Sequence, residues 1–317
     1  MKKDRINILI GSDINYAPYY GVMLTSLFMN NTESLFDVYL LTDNSWTTEE
    51  TRKFEKMCED YNSRFFVYVV NVDLVKDFPK ILHIALPTYY RLQACNILPS
   101  YIHKILYLDG DMIVTGDIRP LWEIDLEGYA LAATDDTESI YDENYTRLGF
   151  DKKYGYFNAG VSLYNFDFWR KNNISEKMLQ RISEEPEKFK WMDQDAANMF
   201  LHDKRYNLSL RYNFQVKFLN NSYWDLYTKE YQKIIETECE NAVVVHFCSP
   251  IKPWTFRYLG YPFFKTWMFY NRNSFWKINI KVPYAKYLKQ CIKRIIMPAR
   301  VYANRNMQVI QKYWNYK

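Results

Sequence analysis

The stretch "KILYLDGDMIVTGDI", residues 104–118, decides how the rest of the chain is read. Ile105, Leu106, Tyr107 and Leu108 form a short apolar run closed by Gly110, the pattern of a buried strand at its exit. Asp109 and Asp111 flank that glycine. Carboxylates at a strand exit are common loop residues, yet a pair at this spacing can turn onto one divalent cation, because carboxylate oxygens suit hard metals. On the N-terminal side, strand and helix patterns alternate. Residues 7–10, 36–41 ("FDVYLL") and 65–70 ("FFVYVV") read as strands, and Val22 to Met29 belongs to an apolar helix. Thr47 and Glu50 fit a capping box that opens a helix to about Tyr61. "PTYYRLQACNIL" is a further helix candidate with Pro87 near its start. The alternation predicts an α/β fold with a mainly parallel sheet covered on both faces. Ligands of such sheets bind beyond the carboxyl ends of the strands, so "GSDINY" after the first strand and "LDGD" after the fourth should share one cleft.

Toward the C-terminus the pattern is mixed: strand "AGVSLYNF" (159–166), helix "DQDAANMFL" (193–201) and strand "AVVVHF" (242–247). There is no repeat and no low-complexity linker, which favours one α/β domain over residues 1–275. From Trp276 to Lys317 the chain carries ten Lys and Arg and no acid, leaving 31 basic against 37 acidic residues in the rest. Within this tail, 276–317, Tyr284, Leu288, Cys291 and Ile295 fall at helical spacing among basic residues, the composition of a helix lying on an anionic membrane surface. Nucleic acid is disfavoured as a partner, since no base-stacking or zinc module accompanies the charge. Five cysteines without a C-x-x-C argue against a disulfide framework and for a reducing compartment. The apolar run near the N-terminus is too short for a signal peptide and no run reaches membrane-span length, so a cytoplasmic protein, peripheral on the membrane, is expected.

Two chemistries use such an aspartate pair. In a phosphatase of the haloacid dehalogenase type, Asp109 would be phosphorylated and Asp111 would act as acid and base with Mg²⁺. More than a hundred residues of α/β pattern precede the pair here, and Met112 and Ile113 stand where that motif has Gly-Thr. The other chemistry is transfer of a sugar from a nucleoside diphosphate, in which a divalent cation neutralises the leaving group. The chain has nine glycines and neither a P-loop nor G-x-G-x-x-G, so a carboxylate-held ion would replace a backbone phosphate cradle. His246, at the end of another apolar run, completes an oxygen/nitrogen set suited to Mn²⁺, and Lys252 follows within reach of the same phosphates.

"GSDINYAPY", "LPTYYRL", "LYLDGDMIV", "FNAGVSLYNFDFWR", "MDQDAANMF" and "HFCSPIKPW" occur in the order and at the spacings of glycosyltransferase family 8, which the chain resembles from about Asn7 to Trp254. The resemblance implies a GT-A fold with a single Rossmann-like nucleotide-sugar domain, a UDP-glucose or UDP-galactose donor, a glycan or glycolipid acceptor such as lipopolysaccharide, and retention of the α configuration. It implies Mn²⁺, with Mg²⁺ as the alternative, on Asp109, Asp111 and His246. It places Gly11, Asp13, Asn15, Tyr16 and Gly110 around the uridine, and Ser249 and Lys252 on the diphosphate. Arg91, Asp136, Asn158, Asp193 and Gln194 fall around the donor sugar, with Asp136, Asp193, Gln194 and Lys252 as the catalytic set. Ser249 replaces a frequent glycine, and Ile14 stands where some members carry an acid. Taken singly, each residue has a structural reading too: Asn158 as a turn residue, Asp193 as a helix N-cap and Arg91 as a surface charge.

Overall fold

A computed structural model of the chain describes residues 4–80, 86–258, 260–281 and 283. Its strands are β1 (Ile6–Gly11), β2 (Phe36–Thr42), β3 (Arg64–Val69), β4 (Lys104–Leu108), β5 (Met112–Val114), β6 (Leu131–Ala133), β7 (Val161–Asn165), β8 (Arg205–Asn207), β9 (Phe214–Gln215) and β10 (Val244–His246). The main sheet has seven strands in the order β3-β2-β1-β4-β7-β6-β8. Pairs β1/β2, β2/β3, β1/β4 and β6/β8 are parallel, while β7 runs antiparallel to both β4 and β6. This is the expected mainly parallel α/β architecture.

Period-two alternation divides the strand side chains between two cores. Leu9, Tyr39, Ile105 and Tyr107 face a layer containing Tyr89, Leu92 and the helix Met192–Leu201. Ile8, Ile10, Leu106 and Leu108 face the helices Ala17–Asn30 and Thr48–Asp60. Thr47 caps the second of these as read, its hydroxyl accepting the Glu50 N–H at 3.2 Å. Both faces of the central strands are therefore dry, which is why these strands read as continuous apolar runs.

Two features position the site. Because β7 opposes β4, the residues that precede β7 lie beside the residues that follow β4. Leu108 pairs with Val161, and the Asp109 N–H donates to the Gly160 carbonyl at 2.9 Å. The chain then re-enters a strand directly after Asp111. That strand, β5, joins a second sheet in the order β5-β10-β9. His246 is paired with Met112 on one side and Gln215 on the other, and the Phe247 N–H donates to the Asp111 carbonyl at 2.9 Å. The "AVVVHF" strand thus lies outside the main sheet, in a small sheet that begins where the chain leaves the central strand β4.

"PTYYRLQACNIL" departs from the helix reading. Leu86–Gln93 is a 3₁₀ helix, followed by one α turn, Ala94–Ile97. Tyr89, Tyr90, Arg91, Leu92 and Gln93 are all buried in succession, a demand that a one-sided α-helical stripe does not meet. Trp276 packs onto the body. Its ring fills the space above Gly21, where a Cβ would lie 2.1 Å from it, and packs on Phe54 at 4.6 Å between centroids. Its indole N–H donates to the Glu50 carboxylate. The helix-spaced residues Tyr284, Leu288, Cys291 and Ile295 lie outside the described residues.

Candidate active site

The strand ends open onto a cleft of about 700 Å³. Every residue singled out above as catalytic, donor-binding or metal-ligating lines it, from Gly11, Asp13, Asn15 and Tyr16 at the end of β1 to Ser249 and Lys252 after β10. Asp109, Asp111 and His246 come together there, each offering one ligand atom within 4.8 Å of the others. The His246 Nε2 is 3.3 Å from an Asp111 oxygen and 3.9 Å from an Asp109 oxygen. The far side of the ring is held too, Nδ1 standing 3.0 Å from the Asn213 Oδ1.

The donor set fits a divalent ion. Two carboxylates and an imidazole converge, and the second ring nitrogen already has a partner, as metal-ligating histidines require. Burial pushes the Asp111 carboxyl up, but Lys252 and His246 outweigh it and hold it well below the usual carboxylate range. The Lys252 ammonium touches an Asp111 oxygen and also donates to the Phe247 carbonyl at 3.0 Å. These partners favour the ionised form of Asp111.

Arg91 is buried, not a surface charge. Its guanidinium meets Asp193 at 2.8 Å and Asp109 at 3.4 Å, donates to the Ala159 carbonyl at 2.7 Å and lies 4.1 Å above the Tyr107 ring. Asp193 is not an N-cap: the helix starts at Met192, whose φ is +55°, and Asp193 turns inward. Thr88 donates to it at 2.6 Å. Desolvation dominates all the same and pushes the Asp193 carboxyl up to about 6, against the pull of Arg91 and Thr88.

Asn158 is more than a turn residue. Its amide donates to Asp136 at 2.6 Å and to the Gln194 carbonyl at 3.2 Å. The Gln194 carbonyl also accepts the Ala159 N–H at 3.1 Å, while its NH₂ donates to Asp136 and to the Tyr156 hydroxyl, both at 3.2 Å. The other Asp136 oxygen accepts the Glu138 N–H at 2.7 Å. Both side chains are thus fixed by several bonds.

Sequence reading did not single out four residues that matter here. Gly160 lies so close to the candidate ligands that a Cβ would stand 2.5 Å from the His246 ring and 2.7 Å from an Asp109 oxygen. Tyr107 donates to Asp109 at 2.6 Å. Lys217 enters the cleft paired with Glu138 at 2.7 Å, near Trp191 and Tyr223. Asn213 supports His246 from behind. Gly160 had a signal, a glycine directly before a strand. The other three read as ordinary strand or loop residues.

A profile of "Glycosyl transferase family 8" matches residues 7–257. The chain belongs to that family. It is a glycosyltransferase. Among its relatives is General stress protein A of Bacillus subtilis, 31% identical over 264 residues, which cover 80% of this chain and 89% of that one. Another is the lipopolysaccharide 1,2-glucosyltransferase of Escherichia coli K12, 29% identical over 273 residues, 86% of this chain and 79% of that one. A crystal structure of the galactosyltransferase LgtC in complex with donor and acceptor sugar analogs superposes with a TM-score of 0.73 at 23% identity, covering 90% of this chain and all of that one. That likeness confirms the GT-A type of fold, and the family assignment removes the dehalogenase alternative.

Proposed function

We propose that this glycosyltransferase moves a hexose, glucose or galactose, from a UDP-sugar to a hydroxyl of a glycan or glycolipid, with retention of configuration. The observation that carries the reading is the convergence of Asp109, Asp111 and His246 beside Lys252 at the strand ends. Two oxygens and one nitrogen suit Mn²⁺ better than Mg²⁺, which favours oxygen alone. When bound, such an ion neutralises the charge of the departing diphosphate. Relatives named as a lipopolysaccharide glucosyltransferase and a galactosyltransferase support a hexosyl donor and a cell-surface glycan acceptor.

The chain's own residues supply the rest. Gly11, Asp13, Asn15, Tyr16 and Gly110 wall the end that would take uridine. Ser249 and Lys252 face the diphosphate, and Lys252 contributes a positive charge that is already paired with Asp111. Arg91, Asp136, Asn158 and Asp193 border the sugar. Gln194 is a neutral amide whose oxygen already accepts two hydrogen bonds, which makes it a poor nucleophile. Asp136 and Asp193 are likewise engaged, by Asn158 and Gln194 and by Arg91 and Thr88. This favours attack by the acceptor hydroxyl on the face from which UDP departs, the phosphate taking the proton. Lys217, Glu138 and Trp191 offer charged and aromatic groups to a polyhydroxyl acceptor.

Residues 276–317 are proposed as an attachment segment for an anionic membrane on the cytoplasmic side. Their basic composition and the exposed Phe269 and Phe275 beside them support this. Among the described residues, no helix is long and apolar enough to cross a membrane. The test of the transfer reaction is UDP release from a panel of UDP-sugars, with Mn²⁺ and with EDTA. Slow Mn²⁺-dependent hydrolysis of one UDP-hexose names the donor. Failure to bind UDP and Mn²⁺ refutes the reading.

A further inference from the structure

We infer that Asn213 is the positioning residue that fixes His246 for the ion and links it to the sugar side of the cleft. The Gly160 backbone N–H is a donor whose direction is beyond choice. It donates to one end of the Asn158 amide at 3.0 Å, so that end is the oxygen. The other end is then the NH₂, which agrees with its bond to the Asp136 carboxylate, an acceptor. Asn213 meets the same Asn158 oxygen at 2.8 Å and must present its own NH₂ there. Its carbonyl oxygen therefore faces His246, 3.0 Å from Nδ1. A carbonyl cannot donate, so Nδ1 carries a hydrogen and Nε2 is the ring nitrogen left to take an ion beside Asp109 and Asp111.

One backbone N–H thus propagates through two amides to set the imidazole. Asn213 is fully buried and directly precedes β9, which pairs with β10 at Phe214–Val245 and Gln215–His246, so its backbone is fixed as well. Both ends of its amide are used, one toward an ion ligand and one toward the residue that holds Asp136 and Gln194. This inference rests on the ion-site reading above.

The test separates the two ends. Mn²⁺ alone is titrated into the full chain, and the loss of the free Mn²⁺ electron paramagnetic resonance signal is followed for wild type, Asn213→Leu and Asn213→Asp. Thermal unfolding without metal checks each variant's fold. Leucine removes both ends, and Mn²⁺ affinity should fall roughly 10–100-fold. Aspartate still accepts from Nδ1 but offers no donor to Asn158. It should rescue Mn²⁺ affinity to within a few-fold of wild type while kcat for UDP-sugar turnover stays low. Folded Asn213→Leu that binds Mn²⁺ like wild type overturns the inference, and so does Asn213→Asp that binds as weakly as Asn213→Leu. A wild-type chain that binds no Mn²⁺ overturns the ion site itself.

Discussion

Substituting Gly160 by alanine tests the ion site with a single methyl group. Gly160 is not in a left-handed conformation, so the backbone accepts alanine and the effect is steric. The new Cβ would lie 2.5 Å from the His246 ring, 2.7 Å from an Asp109 oxygen and 2.9 Å from the Asn158 oxygen. Ordinary contact begins at 3.4 Å, so the imidazole must retreat by about 0.9 Å, with smaller shifts at the other two. It has little room, since Asn213 backs the ring. Overpacking of this kind costs about 1–3 kcal/mol of stability. A ligand displaced by nearly 1 Å should cost on the order of 100-fold in turnover. The assay is Mn²⁺ titration and UDP-sugar turnover on the purified variant, beside a denaturant melt. A Gly160→Ala enzyme with wild-type Mn²⁺ affinity and turnover would refute the geometry from which the ion site is argued.

Asp111→Asn should abolish transfer and Mn²⁺ binding while the fold persists; a fully active variant would sink the assignment of Asp111 as a ligand. Gln194→Ala should slow turnover without eliminating it, and complete loss in a folded variant would point to Gln194 as a nucleophile and so to double displacement. Arg91→Ala leaves the Asp193 carboxyl buried without its cation and should destabilise the chain by about 3–5 kcal/mol in chemical denaturation. The pH dependence follows from Asp193. Its carboxyl is raised from 3.8 to about 6, so between those values the folded chain holds a proton that the unfolded chain has lost. The stability contributed by that proton is present below about pH 4 and lost as pH rises to about 6. Melting temperatures across this window should show the loss in wild type and a weaker one in Asp193→Asn.

Much of the fold was legible because its physics is local. β1, β2 and β4 are buried on both faces and so appear as apolar runs, and Thr47 announced its helix through a capping box. Asp109, Asp111 and His246 were legible because each stands at the end of such a run. The 3₁₀ segment at Leu86–Gln93 was misread as α because consecutive burial of its side chains is set by tertiary packing, not by period. β5, β6, β8 and β9 are two or three residues long, too short to carry a period, so the small sheet that delivers His246 left little mark. Asn213 was invisible for a related reason: its role is defined by partners 33 and 55 residues away.

The small sheet has a consequence for the order in which the molecule is made. The two aspartates follow β4, but Lys252 meets Asp111 across 141 residues, and His246 arrives only when β10 pairs with β5. Contacts of such long range form late, because loop closure must precede them. A chain still emerging from the ribosome, released as far as β9, already has the sheet, both carboxylates and Asn213. It lacks the imidazole. The candidate ion site is therefore completed only once a strand of three residues has been released.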